Sequence, residues 1–479
     1  MSKLYVFGIG GTGSRVLRSL TMMLASGVKM GVDSIVPIII DPDIANADLT
    51  RTVTLMNDYS RVHDSLKFAE GSKNRFFKTP IEKGPKNYTL TFENIGDTSF
   101  ESFIGLDELS GADKAMIRML FSEKNLESKM DVGFKGNPNI GSVVLNQIFE
   151  SEGFESFANS FNPDDKIFII SSIFGGTGAS GFPMLLKTLR TSDKFQSCEI
   201  INKSNIGAVT ILPYFKVASD MGQEDSHEIN SSTFISKTKS ALGYYEKNIF
   251  KTNQIDALYF LADSPNKVYN YSEGGSSQKN DAHLIELMAA TSIIDFTFLP
   301  TRDVNDDITT QCFELGIKDI EDSVNFTDFY DGLHDMLYGP LTQFVLMANA
   351  LNDDFSYLKD TLAATKTMPD FYVSQFFKGL RSFTERYTSW LNEMSNNSRS
   401  LPLYNLNCGK KPFDVVNGVQ SKNSIMSHIR KGKDYGFFEA KLNEASHDAK
   451  KIVKDSAPSY VMEFFYGATK DIIKEKLNN

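Results

Sequence analysis

Two glycine-rich stretches carry backbone suited to binding phosphate. The first is Gly8-Ile9-Gly10-Gly11-Thr12-Gly13-Ser14, and the second is Phe174-Gly175-Gly176-Thr177-Gly178-Ala179-Ser180-Gly181. Each follows a short apolar run and precedes a helix-like one. Glycine lets the chain turn with positive φ and lets a ligand approach the backbone. A helix N terminus beyond it adds free N–H groups and the positive end of a dipole, a setting that suits phosphate. Gly10, Gly11, Thr12 and Gly13, with Gly175, Gly176, Thr177, Gly178 and Ser180, are therefore candidate phosphate contacts. One such loop alone is a weak signal, because a tight strand–helix turn with no ligand uses glycines in the same way. Two at the ends of parallel strands converge on one edge of the sheet, which is far more specific. Neither loop holds the lysine of GxxxxGK[ST], so amides and helix dipoles would do the holding.

The elements that must position these loops are short and apolar. Leu4–Phe7 and Ser34–Ile40 are of strand length, with helix-like Ser14–Leu24 between them. This β–loop–α–β start predicts an α/β fold with a parallel sheet. Residues 44–130 are less regular and read as a long insertion, with a strand at Tyr88–Phe92 and a helix at Gly111–Ser122. Further strands are expected at Lys166–Ile173, Ile206–Leu212 and Ala257–Leu261. Helices are expected from about Phe182 and over Asn280–Phe296. Beyond about residue 315 the pattern turns helical: Phe376, Leu380, Phe383, Tyr387, Leu391 and Met394 recur every three or four residues. The expected division is a nucleotide-type domain over 1–310 and a mostly helical domain over 311–479.

Composition narrows the class. The 479 residues are 41% hydrophobic and 23% charged, with a net charge of −10. That balance is ordinary for a soluble globular protein and argues against a broad electrostatic grip on nucleic acid. The three cysteines are far apart, with no CxxC pair, so zinc and a disulfide framework are not expected. The six histidines do not cluster, and no dedicated metal-ligand spacing occurs. No signal-peptide architecture or membrane-length apolar run is present. The reading is a cytoplasmic protein.

The order of these features resembles the tubulin/FtsZ superfamily. It comprises a strand, a glycine loop, a second strand ending in Ile40-Asp41-Pro42-Asp43, an Asn-Pro loop, then GGTG before a helix. The resemblance implies that Asp41 and Asp43 lie near the phosphates and magnesium. It implies that Gly136 and Asn137, within Gly133–Gly141, meet the γ-phosphate. Gly175-Gly176-Thr177-Gly178 resembles the signature GGGTG[ST]G. Phe174 stands where its first glycine would be, Ala179 replaces its hydroxyl residue, and Ser180 replaces the next glycine. These departures bear on hydrolysis more than on binding. The long insertion is closer to divergent bacterial tubulin-like proteins, several of which are encoded in prokaryotic conflict systems.

The same resemblance assigns the other ends of the site. Asn280 and Asp281 would open the central helix and read guanine, since a carboxylate can accept both N1–H and N2–H. An ordinary helix cap is the plainer reading of that pair. Asp303 and Asp306 match a D-x-x-D loop that would enter the next subunit's site and orient water, although acids in an exposed loop are common. The implied ligands are GTP or GDP with Mg²⁺. The implied association is a head-to-tail polymer, with the helical region available to a protein partner. Three rival readings stand beside this one. A scaffold gated by nucleotide would bind without appreciable turnover. An E1-like adenylating enzyme shares GxGGxGS and D-x-D, and a Rossmann oxidoreductase would place Asp41 on the ribose. The last two leave the second glycine loop idle.

Overall fold

The computed structural model describes residues 2–69, 75–90, 98–130, 137–194, 198–217, 231–263, 268–269, 275–277, 279–303, 306–314, 323–352, 368–408, 411–419, 433–453 and 455–477, with 92, 95, 134 and 362. In chain order the elements used below are β1 (Lys3–Ile9), α1 (Gly10–Ala25), β2 (Ser34–Ile40), α2 (Ala47–Asp64), β3 (Thr89–Leu90) and α3 (Pro138–Leu145). Then come β4 (Lys166–Ser172), α4 (Gly176–Thr191), β5 (Asn205–Ile211), α5 (Ser231–Tyr245), β6 (Ala257–Leu261), α6 (Leu284–Phe298) and β7 (Gln311–Glu314). Four long helices follow: α7 (Asp331–Asn352), α8 (Gln375–Ser395), α9 (Lys433–Ile452) and α10 (Ala457–Ile472).

The seven strands form one sheet in the order β3-β2-β1-β4-β5-β6-β7, and each neighbouring pair runs parallel. Parallel strands covered on both faces become nearly continuous apolar runs, which is how Ser34–Ile40 and Ala257–Leu261 were legible. Along β1 the side chains alternate. Leu4 and Val6 join one apolar core with α1, α2, α6 and the C-terminal helices. Tyr5, Phe7 and Ile9 join the other with α3 and α4. The last strand, β7, lies just past residue 310 and completes the sheet against β6.

The C-terminal helices share the first of those cores. Of the predicted stripe on α8, Leu380, Phe383, Tyr387, Leu391 and Met394 are buried, and Phe377, outside that stripe, is buried with them. Phe376, read as part of it, is only partly buried. Trp390 is fully buried and its indole N–H donates to Ser19 Oγ at 3.3 Å. Tyr387 and Ser26 share a hydroxyl hydrogen bond of 2.7 Å. No helix among the described residues is long and apolar enough to cross a membrane.

Candidate phosphate site

The sheet order reverses between β1 and β4. From β1 the chain builds outward through β2 on one side, and from β4 through β5 on the other. Open α/β sheets bind ligands beyond the carboxyl ends of strands at such a point. Both glycine stretches lie there, one after each flanking strand. They touch: a Cβ built on Gly10 would lie 3.5 Å from Thr177 Cβ. Gly10 has φ +70°, and a Cβ on Gly13 would lie 2.4 Å from the carbonyl carbon of Gly8. The turn therefore requires glycine at both places.

These glycines do more than connect. Helix α1 begins at Gly10, earlier than Ser14, and α4 begins at Gly176, earlier than Phe182. Most of each motif is thus a helical first turn. Glycine's low helix propensity hides this in the sequence. Pro183, seven residues further on than Gly176, lies inside α4. The Asn-Pro stretch behaves alike. Asn137 is the N-cap of α3, and Pro138 opens that helix, where a missing N–H costs nothing. A Cβ on Gly141 would lie 2.3 Å from Ser180 Oγ, so α3 abuts α4. Gly136 lies outside the described residues.

The three helices differ from others in their caps. No side-chain hydrogen bond caps α1, α3 or α4. By contrast α2 is capped by Asn46, α6 by His283, α8 by Ser374 and α10 by Ser456. The first turns of α1, α3 and α4 also carry no acidic residue. Three sets of N–H donors without side-chain caps therefore gather at one edge. Ser14 Oγ and Ser171 Oγ at the same edge are buried with no partner among the described residues. Ser180 is placed differently: its hydroxyl donates to the Gly176 carbonyl at 2.7 Å and turns back on its own helix.

The acids sit beside the amides. Ile9 pairs with Ile40 in the β1–β2 register, so Asp41 is level with Gly10. Asp41 Oδ1 accepts the Asp43 N–H at 3.1 Å, and Asp43 Oδ2 accepts the Gly275 N–H at 2.7 Å. Burial raises the Asp41 carboxyl from its ordinary 3.8 to about 7, with Asp43's charge adding to it. Among the described residues no group of three or more His, Cys, Asp or Glu is arranged to hold a metal ion.

That raised carboxyl gives a pH prediction for protein free of nucleotide and metal. Between pH 3.8 and about 7 the native state holds this proton and the unfolded chain releases it. Stability from this group is therefore greatest at the acid end and declines as pH rises through that window. Asp41→Asn should remove that slope and raise the thermal midpoint near pH 7.5. An unchanged pH slope in thermal melts would contradict the buried, protonated state.

One buried network, which has no local sequence signal, ties the first loop to distant parts. Arg15, one turn into α1, donates to Glu286 Oε1 at 2.6 Å, Asp48 Oδ2 at 3.2 Å, Tyr214 Oη at 2.8 Å and Thr12 Oγ1 at 3.3 Å. Burial pulls the guanidinium pKa down, but Tyr214, Glu286 and Asp48 outweigh it and hold the group charged. Asp48 also accepts from the Asn280 amide at 3.0 Å, and the Asn280 carbonyl accepts from Arg51 at 2.6 Å. The expected base reader Asn280 is thus engaged within the chain, while Asp281 is exposed. Helix α6 starts at Leu284, later than expected, because His283 Nδ1 caps it by accepting the Ile285 N–H.

Asp303 and Asp306 are not brought to this edge. Arg302 donates to both of their carbonyls, to Asp256 Oδ1 at 2.7 Å and, through its backbone N–H, to Asn205 Oδ1. Asn205 begins β5 and Asp256 precedes β6, so the exposed pair lies at the opposite, amino end of the strands.

No family model matches the chain, and no curated protein matches it. Solved structures do. CetZ2 from Haloferax volcanii, a GTPγS-bound protofilament, matches at 15% identity and TM-score 0.30, over 62% of this chain and 58% of that one. CetZ1 from Haloferax volcanii, a GDP-bound monomer, matches at 14% identity and TM-score 0.28, over 61% and 58%. A TubZ-Bt two-stranded filament matches at 13% identity and TM-score 0.24, over 55% and 46%. These neighbours are proteins of the tubulin/FtsZ family. The chain spans little more than half the length of the first of these structures. So distant a likeness leaves the site's chemistry to its own geometry.

Proposed function

We propose that this chain is a tubulin/FtsZ-type protein that binds GTP or GDP with Mg²⁺ and associates with copies of itself. The carrying observation is the gathering of the α1, α3 and α4 N termini, free of side-chain caps, where the strand order reverses. Such termini favour phosphate through their N–H groups and dipoles. Gly10–Gly13 and Gly175–Gly178 offer backbone that a diphosphate or triphosphate can approach. Thr12 accepts from Arg15, so its own hydroxyl proton remains to donate.

The residues present suit Mg²⁺ as it is usually held, by one or two carboxylates together with substrate phosphates. Asp41 and Asp43 would be those carboxylates, and the ion would supply positive charge to offset that of the phosphates. Base reading is assigned to Asp281, whose exposed carboxylate matches the donor edge of guanine. Readings as an adenylating or dinucleotide-binding enzyme use the first loop and Asp41 and give the adjoining second loop no task.

Displacement of a fluorescent GTP analogue tests the preference. GDP should displace it at least tenfold more effectively than ADP, consistent with a lost pair of hydrogen bonds. Tight ATP binding without GTP competition would overturn the assignment.

A second reading, a nucleotide-gated scaffold that turns over slowly, has its own support. Ala179 lacks a hydroxyl and Ser180 spends its own on Gly176. The helical region would then hold a partner according to the nucleotide bound. Glu393 on α8 supplies a link, since it accepts from Arg18 at 2.7 Å and from the Ala282 N–H at 2.9 Å.

A further inference from the structure

We propose a second anion site, separate from the glycine stretches, that takes a small molecule bearing a diphosphate group. It is the cleft of about 330 Å³ where α1, α2 and α8 meet the segment before α6. Four cations line it: Arg18, Arg51, Lys279 and Arg386. Among the described residues Glu393 is the one carboxylate on its wall. It already accepts from Arg18 twice, at 2.7 and 3.0 Å, and from Arg51 at 3.4 Å. The carboxylates behind the wall do not restore balance. Asp48, paired with Arg51, is shared with Arg15, and Asp58, paired with Arg386, is shared with Arg61.

The cleft is also short of acceptors. Among the described residues Lys279 has no ion pair, and Arg51 Nε, enclosed behind the wall, has no hydrogen-bond partner, so the Arg51 guanidinium has donor capacity that Asp48 and Glu393 do not use up. Thr50, Thr54 and Ser389 add hydroxyls to the same wall. Arginine forks bind phosphate oxygens in pairs, and a point-charge lysine adds strength without fixed geometry. A diphosphate supplies the missing acceptors and several negative charges in one compact group. It would compete with Glu393 for Arg18 and Arg51. Glu393 also holds the Ala282 N–H, so the ligand would bear on the segment that carries Asp281.

Inorganic pyrophosphate is the probe, titrated calorimetrically into the full chain and into its Gly11→Asp variant. Both proteins should bind it at this site with a Kd of the order of millimolar or lower. Lys279→Ala/Arg386→Ala should weaken that site at least tenfold in the Gly11→Asp background. Both side chains lie outside the glycine stretches. Glu393→Gln should tighten it severalfold, a gain that a merely structural role would not produce. Absence of pyrophosphate binding in the Gly11→Asp protein, or equal affinity with and without Lys279 and Arg386, overturns the proposal. Loss of nucleotide binding with this site intact leaves it standing, so the two readings fail separately.

Discussion

Gly11→Asp should fold as well as the parent protein and lose nucleotide affinity at least a hundredfold. Gly11 is the second residue of α1. A Cβ there would meet only Arg15 Nη1 at 3.7 Å and Asn46 Nδ2 at 3.8 Å, ordinary contact distances. The new carboxylate would sit in a first turn that has no acid, where it should stabilise the helix by about 0.3–1 kcal/mol. A phosphate on the same amides would meet a like charge at close range. Two such charges ~4 Å apart repel by about 4 kcal/mol at an effective dielectric near 20. Arg15 screens part of this, hence a hundredfold loss rather than a thousandfold one. Gly11→Ala is the control and should bind within a few-fold of wild type. Thermal melts and nucleotide titration together decide the matter. A Gly11→Asp protein that melts at or above the wild-type temperature and still binds normally would remove the α1 terminus from the site. Gly13→Ala would be a poorer test, because its side chain collides with backbone and any loss could be a folding defect.

Asp306→Ala should leave nucleotide binding unchanged and lower assembly-dependent turnover by about a hundredfold, the low end for a positioned acid–base group. Its place explains why. The pair Asp303 and Asp306 is held by Arg302 at the amino ends of β5 and β6, whereas the glycine stretches follow the carboxyl ends of β1 and β4. A seven-residue strand such as β5 separates the two poles by roughly 20 Å. On the proposed reading, a carboxylate there is too far from the glycine stretches to serve a nucleotide bound by its own chain. In a head-to-tail polymer it would enter the site of the next copy and orient water against the γ-phosphate, with most of the effect from positioning. Turnover per molecule should therefore rise with protein concentration. Mixing provides the control: Gly11→Asp protein, unable to bind nucleotide, should lend its Asp306 to Asp306→Ala protein and restore activity. Turnover that is linear in protein concentration, with full activity in Asp306→Ala, would leave only the binding claim.

Much of the architecture was legible because it depends on local pattern. A parallel strand buried on both faces reads as an unbroken apolar run, so Ser34–Ile40 and Ala257–Leu261 coincide with β2 and β6. The stripe from Phe376 to Met394 marked α8 because helical burial repeats every three or four residues. The glycine motifs were visible because few other residues tolerate such close backbone approach.

What local pattern does not carry was decided by packing. Both glycine-bearing helices start earlier than their local pattern suggests, since first-turn N–H groups need no intrahelical partner and glycine there looks like loop. His283 was not foreseen as a cap because imidazole is an uncommon choice, selected here by a buried position beside Tyr214. Asn280 was read from its place before a helix, yet its amide is bound to Asp48, which is 232 residues away in the chain. Arg15 meets Glu286 across 271 residues, and Arg18 meets Glu393 across 375. The sequence by itself determined which segments could be strands, helices and phosphate-type turns, because those depend on neighbours along the chain. The tertiary structure alone decided which turns touch, which acids share their edge and which polar groups are already spent, because burying a charge requires a partner and the fold chooses that partner from anywhere in the chain.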